Sequence, residues 1–167
     1  GDDNIVPLII TKVKNDVMYI SSEQEFETNA KSVLSINVQN SIITHNTAYR
    51  GAGISINENY ECSGVFNNTI FSNNISSNVG GGLDAFHQDI DLESCIFDSN
   101  TAGYGGGIFC GDNGSNEKEI IIRSSLFINN QGTNDYSGGI YISSDGSETR
   151  PTIINCTITN NDGGLYT

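Results

Sequence analysis

The sequence predicts an all-β solenoid, one domain over residues 1–167 coiled into roughly five to six rungs. Three observations lead there. The first is a double motif, in which an aromatic or aliphatic residue is followed three positions later by asparagine, and then a glycine cluster runs into an aliphatic residue. It reads Phe71 and Asn74 with Gly80, Gly81, Gly82 and Leu83, then Phe97 and Asn100 with Gly105, Gly106, Gly107 and Ile108, then Phe127 and Asn130 with Gly138, Gly139 and Ile140. The second is the spacing of these copies, roughly 25 to 32 residues, where self-similarity signals stacked units rather than a closed globule. The third is the local pattern: no stretch sustains a helical period, while short segments alternate apolar and polar residues with period two.

The elements follow in order. Residues 1–39 read as a degenerate first rung, because Tyr19, Ile20, Ser21 and Ser22 echo Tyr141, Ile142, Ser143 and Ser144. Clear repeats run from 40 to 167, opened by a weaker copy at Ile43, Asn46, Gly51, Gly53 and Ile54 and closed by another at Ile158, Asn161, Gly163, Gly164 and Leu165. Strands are expected at Ser32–Val38, Ser41–Thr44, Thr69–Ser72, Cys95–Asp98, Glu119–Arg123, Leu126–Ile128, Ile140–Ser143 and Thr152–Thr159, two or three to a repeat, with turns rich in Asn, Gly, Ser and Asp between them. Alternation sets a phase, with Cys95, Phe97, Ile108, Cys110, Ile140 and Ile142 inward and Phe109 and Tyr141 outward.

Hairpins would not bring the same Asn and Gly to the same phase of every unit, whereas a coil stacks equivalent residues roughly 4.8 Å apart. Asn46, Asn74, Asn100, Asn130 and Asn161 then form a ladder, each amide donating and accepting between rungs and to turn backbone. The glycines suit a tight bend or a close approach of one turn to the next.

Composition narrows function. A net charge of −13 with only 7 Lys plus Arg argues against nucleic acid or an anionic membrane surface as partner, since both need clustered basic side chains. No apolar run approaches the roughly 20 residues that span a bilayer, and no signal peptide begins at Gly1. The missing start methionine and the partial repeat at Gly163–Thr167 suggest a processed protein or a piece of a longer one. They also suggest a coil that continues or stacks on a neighbour.

The densest acidic segment holds Asp84, His87, Asp89, Asp91 and Glu93. Grouped carboxylates with a histidine could serve acid–base chemistry on a polysaccharide, but no Lys or Arg lies near them in sequence. A cross-rung partner such as Arg123 would have to supply the missing base; solvated turn and outward strand positions are the plainer reading. Glu58, Asp89, Asp112 and Asp145 recur after the second strand of successive repeats and, if in register, would make a calcium-binding column; Asp112 and Asp145 equally suit ordinary turns.

Four cysteines fit an oxidising compartment. Cys95, Cys110 and Cys156 are inward and Cys62 is in a loop, so buried free thiols compete with disulfides. Cys95 and Cys156 share a column but, two turns apart, lie roughly 10 Å from each other, too far to bridge. Sequons fall at Asn67, Asn74, Asn113 and Asn155, with Asn113 in the most turn-like setting and Asn74 competing with the ladder.

The paired motifs resemble the right-handed parallel β-helix repeats of the polymorphic outer membrane protein type, whose hallmark couples FxxN to GGA followed by Ile, Leu or Val. The resemblance covers about residues 40 to 165 and departs from that pattern where Gly53, Gly82, Gly107 and Gly139 replace its alanine. It implies a large secreted or cell-surface setting. The expectation is a non-enzymatic extracellular module, structural or adhesive, that associates with itself, carries glycans and needs no cofactor unless calcium. The competing expectation is a carbohydrate-active β-helix enzyme.

Overall fold

The structure, a computed structural model, describes residues 9–14, 17–22, 34–56, 62–112, 118–134, 137–144 and 151–167. The chain divides into two units, Gly1–Ser32 and Val33–Thr167.

In the first unit, β1 (Ile9–Lys14) pairs antiparallel with β2 (Val17–Ser22), Ile9 opposite Ser22 and Lys14 opposite Val17. Tyr19–Ser22, expected to open a rung, therefore belongs to a hairpin. Similarity of composition to Tyr141–Ser144 does not fix a strand's partner, and here the partner is the neighbouring strand in sequence.

The second unit is a parallel β-solenoid of about four turns. Its first turn runs through β3 (Leu34–Gln39), β4 (Ile42–Thr44), β5 (Thr47–Arg50) and β6 (Ile54–Ile56), and its second through β7 (Cys62–Asn67), β8 (Ile70–Ser72), β9 (Ile75–Val79) and β10 (Leu83–Phe86). The third follows with β11 (Asp89–Glu93), β12 (Ile96–Asp98), β13 (Thr101–Ala102) and β14 (Ile108–Asp112), the fourth with β15 (Ile120–Arg123), β16 (Leu126–Ile128), β17 (Gln131–Gly132) and β18 (Ile140–Ser144). Then come β19 (Thr152–Ile154), β20 (Thr157–Thr159) and β21 (Leu165–Tyr166).

Each turn gives one strand to each of four parallel sheets: β3-β7-β11-β15-β19, β4-β8-β12-β16-β20, β5-β9-β13-β17 and β6-β10-β14-β18-β21. A rung thus holds four strands rather than two or three, because the corners are tighter than composition suggests. First-to-second and second-to-third corners always use two residues, one of them left-handed. Asn40, Asn68, Ser94, Ser124 and Asn155 take the first corner, and His45, Asn73, Ser99, Asn129 and Asn160 the second, all with φ between 49° and 58°. Short polar side chains tolerate that region best after glycine. Asn155 is also why the expected strand Thr152–Thr159 is two strands, β19 and β20. Connections on either side of the sheet built on β6 vary in length instead: only His87 and Gln88 join β10 to β11, whereas residues 113–119 join β14 to β15.

The core lies inside the coil. Phe66, Phe71, Phe97, Phe127, Leu83, Leu92, Ile108, Ile122 and Ile140 are fully buried. Phe71 stacks on Phe97 at 4.5 Å between centroids and Phe97 on Phe127 at 4.8 Å, with the rings within 3° of parallel. That separation is the strand spacing itself, so one Phe per rung fills the column. Glycine is required in the neighbouring column: a Cβ on Gly82 would lie 2.6 Å from the Gly107 carbonyl oxygen, and one on Gly107 2.5 Å from that of Gly139. The alanine of the resembled repeat type has no room here.

Candidate functional site

Two polar columns run along the coil, one at each left-handed corner. At the second corner, the backbone N–H and Nδ2 of Asn46 both donate to Asn74 Oδ1, at 3.1 and 2.9 Å. Asn74 does the same to Asn100, Asn100 to Asn130 and Asn130 to Asn161, at 2.8 to 3.1 Å. The remaining amide hydrogen reaches back one rung, from Asn74 to Ile43 O, Asn100 to Phe71 O, Asn130 to Phe97 O and Asn161 to Phe127 O, at 2.9 to 3.0 Å. Asn74, Asn100 and Asn130 are 0% exposed. Each amide therefore spends both hydrogens and its oxygen, the full capacity of the group, and the backbone donor dictates which way the amide points.

The first corner carries a column of single donors that bond within their own rung, and three of them, Thr69, Cys95 and Cys156, also reach the Val38, Phe66 and Ile122 carbonyls of the rung before at 3.4 to 3.5 Å. Ser41, Thr69 and Ser125 donate through their hydroxyls to Gln39 O, Asn67 O and Arg123 O, two residues earlier, at 2.7 to 3.0 Å. Cys95 and Cys156 do the same through sulfur, to Glu93 O at 3.4 Å and Ile154 O at 3.3 Å. This column was not read from the sequence; its signal was a Ser, Thr or Cys following every first-corner residue.

All four cysteines are free thiols. Burial pushes the Cys62 and Cys95 thiols above their ordinary value, and pushes Cys110 up further, with the charge of Asp84 adding to the effect. Protonated thiols are poor nucleophiles. Cys110 occupies a packing column with Ala85 and Ile142.

The acidic segment is divided between two sheets. Asp84, in β10, points outward yet is 0% exposed. It accepts from Arg50 Nε at 2.9 Å, Arg50 Nη2 at 3.3 Å and Ser55 Oγ at 3.2 Å. Arg50 also lies over the Phe86 ring at 5.1 Å. Asp89, Asp91 and Glu93 line the outer face of β11. Asp89 accepts from the Glu119 N–H at 2.8 Å, Arg123 Nη2 donates to both oxygens of Asp91 at 2.7 and 2.8 Å, and Arg123 Nε lies 3.5 Å from Glu93. The hydrogen bond to Asp91 chiefly holds the Arg123 guanidinium above its usual pKa. His87 takes φ 61° at the β10–β11 connection and stacks on Phe86 at 3.9 Å. Gln88 is buried and its Oε1 accepts the Cys62 N–H at 2.7 Å. These carboxylates bridge rungs, and Arg50 is the partner the sequence did not reveal.

Of the residues considered for calcium, Asp89 pairs in register with Ser63 in one sheet and Asp112 with Ser144 in another, so these two do not share a column. Glu58 and Asp145 lie outside the described residues. Among the described residues no group of three or more metal-ligating side chains forms.

Of the sequons, Asn74 is the ladder residue itself, with no surface to carry a glycan in the folded coil. Asn67 is half-buried on β7, Asn155 is exposed at a left-handed corner, and Asn113 lies outside the described residues.

The outer face of the sheet built on β6 carries an aromatic row. Tyr141 stacks on Tyr166 at 4.7 Å and on Phe109 at 5.6 Å, Phe86 approaches Phe109 at 6.4 Å, and Tyr104 meets Tyr141 edge-on at 5.6 Å. Phe109 is only 9% exposed although outward, because its neighbours in the row cover it.

The fold and these columns define a repeat protein of the parallel β-solenoid class. The chain matches no family model, and no curated protein or solved structure is significantly similar to it. No helix among the described residues is long and apolar enough to cross a membrane.

Proposed function

We propose that the chain is a non-enzymatic extracellular module, structural or adhesive, whose rungs stack end to end within a larger surface protein or filament. The observation that most supports this reading is the use made of the acidic segment. Asp84, Asp89, Asp91 and Glu93 are each committed to a group on another rung, so the residues best suited to catalysis act as cross-rung ties. An asparagine amide in every turn adds rigidity, and the variable connections provide contact surface. The finer kinship, with repeats of the polymorphic outer membrane protein type, belongs to the same proposal, as do glycans at Asn67, Asn113 and Asn155. Calcium held by Glu58, Asp112 or Asp145, each at or just beyond the end of a strand of the sheet built on β6, is part of the same proposal, and a calcium-dependent rise in melting temperature would bring it in.

A second reading, a carbohydrate-active β-helix enzyme, draws on the row Phe86, Phe109, Tyr141 and Tyr166 beside His87, since aromatic rings and a histidine suit a polysaccharide groove. Incubation with acidic and neutral polysaccharides decides between the two. Unchanged chain length in all of them is expected; depolymerisation that Asp84→Asn abolishes would overturn the structural reading.

A further inference from the structure

We infer, resting on that extracellular structural reading, that Tyr141 and Tyr166 are a site of oxidative cross-linking: a haem peroxidase with hydrogen peroxide joins the two rings into dityrosine and so fastens two successive turns of the coil. Three features converge on this pair.

The first is placement. β18 and β21 are paired with Tyr141 opposite Tyr166, and the two rings lie 4.7 Å apart and within 1° of parallel. Strand spacing fixes that separation, so the coil itself holds one phenol against the other, and two reacting groups held in place combine without waiting for a bimolecular encounter. Tyr141 lies between Ile140 and Ile142, both buried, so alternation turns its hydroxyl end outward. Tyr166 continues the same outer column.

The second is the identity of the other neighbours. On the side of the preceding turn Tyr141 stacks on Phe109 at 5.6 Å, and a phenyl ring has no hydroxyl hydrogen to give up. Tyr104 approaches edge-on, also at 5.6 Å, with its plane turned by 71°. Of the phenols placed around Tyr141, Tyr166 is the nearer.

The third is the state of the thiols. All four cysteines are free, and Cys95 and Cys110 are shut inside the coil, away from a bulky oxidant. No disulfide ties one turn to the next, which leaves that role to the phenols.

The chemistry balances. Peroxide oxidises the haem by two electrons as its O–O bond breaks, and the enzyme then takes one electron from each phenol while the hydroxyl protons pass to the peroxide oxygens as water. The two phenoxyl radicals pair in a C–C bond between the ring carbons next to the oxygen-bearing ones. The C–H bonds at those carbons break and their protons restore the hydroxyls, so two phenols and one peroxide give one dityrosine and two waters. Coupling is edge to edge, and the rings reach it by swinging from the stack toward the solvent side about their Cα–Cβ and Cβ–Cγ bonds.

The test treats the dilute full chain with a haem peroxidase and hydrogen peroxide. Expected are the blue fluorescence of dityrosine in material that still runs as a single chain on a denaturing gel, an intact mass lower by two hydrogens, and a cross-linked peptide pair containing Tyr141 and Tyr166. Tyr166→Phe and Tyr141→Phe keep the stacked rings and remove one hydroxyl; each should lose that product. Tyr49→Phe, at a position 71% exposed, should retain it. An absence of dityrosine, links that map to other tyrosines or form only between molecules, or an equal yield of intramolecular product in Tyr166→Phe overturns the assignment. Those results leave the structural reading standing, since that reading falls only to polysaccharide cleavage.

Discussion

The two left-handed corners of each rung do similar geometric work with different chemistry. At the second corner the residue that follows the turn is Asn in all five rungs; at the first it is Ser, Thr, Cys, Ser and Cys. Reach explains the contrast. The asparagine spans three rungs, donating forward to the next amide and back to the carbonyl before it, and only a side chain with two donors and an acceptor at that length can do both. The first-corner residue bonds a carbonyl two residues away in its own rung, and Thr69, Cys95 and Cys156 share their single hydrogen with a carbonyl one rung back at 3.4 to 3.5 Å, so any short donor suffices. A contact that needs two donors and an acceptor constrains residue identity, whereas one that needs a single short donor constrains only residue class.

Substitutions at the two corners should separate accordingly. Asn100→Ala strands the buried N–H and Nδ2 of Asn74, and at about 1–3 kcal/mol for each unsatisfied buried group it should destabilise by about 2–6 kcal/mol in urea unfolding. An effect no larger than that of Cys95→Ala would erase the distinction between the corners. Phe97→Ala, in the strand that joins them, should cost about 3–5 kcal/mol as a truncation of a fully buried ring. Differential scanning calorimetry checks it, and a near-neutral result would contradict the stacked column. Cys95→Ala should lose about 0.5–1.5 kcal/mol, one weak hydrogen bond shared between the Glu93 and Phe66 carbonyls, and Cys95→Ser less than that.

The smallest effect concerns pH. The Cys62, Cys95 and Cys110 thiols have folded values raised above the ordinary 9.0. The unfolded chain therefore loses its thiol protons first, and their contribution to stability is full below about pH 9 and is lost as pH rises through the folded values. Chemical denaturation across that range should show a decline that Ser at all three positions flattens; a parallel decline in the triple variant would assign the slope to other groups.

Much of the architecture was legible because repetition amplifies weak signals. The inward phase of Phe97, Ile108 and Ile140 follows from alternation, and all three are 0% exposed. The corners were harder to see. Asn, Ser and His occur for many reasons in turns, and nothing local marks Asn155 or Ser94 as left-handed until the register of the whole coil is known. The antiparallel pairing of β1 with β2 was missed because Tyr19–Ser22 matches a repeat in composition while its partner strand, Ile9–Lys14, carries no repeat motif. The ties across rungs were least visible: Arg50 and Asp84 are 34 residues apart in sequence, and only the coil makes them neighbours. The same holds for the outer aromatic row, whose members come from different repeats and whose shielding of Phe109 reverses the exposure expected for an outward ring.

The uneven corners also divide the molecule into a fixed frame and an editable rim. Wherever the connection must be two residues, an insertion would carry the left-handed corner out of line and break columns in every direction. Beside the sheet of β6, β10, β14 and β18, lengths already differ from turn to turn, so segments there can be lengthened while the ladders keep their spacing, provided the glycine that precedes each strand of that sheet stays. Both sets of variable connections border the face that carries Phe109, Tyr141 and Tyr166. The coil can therefore diversify the border of one side, turn by turn, without renegotiating its interior, and a foreign peptide grafted between β14 and β15 would inherit that freedom.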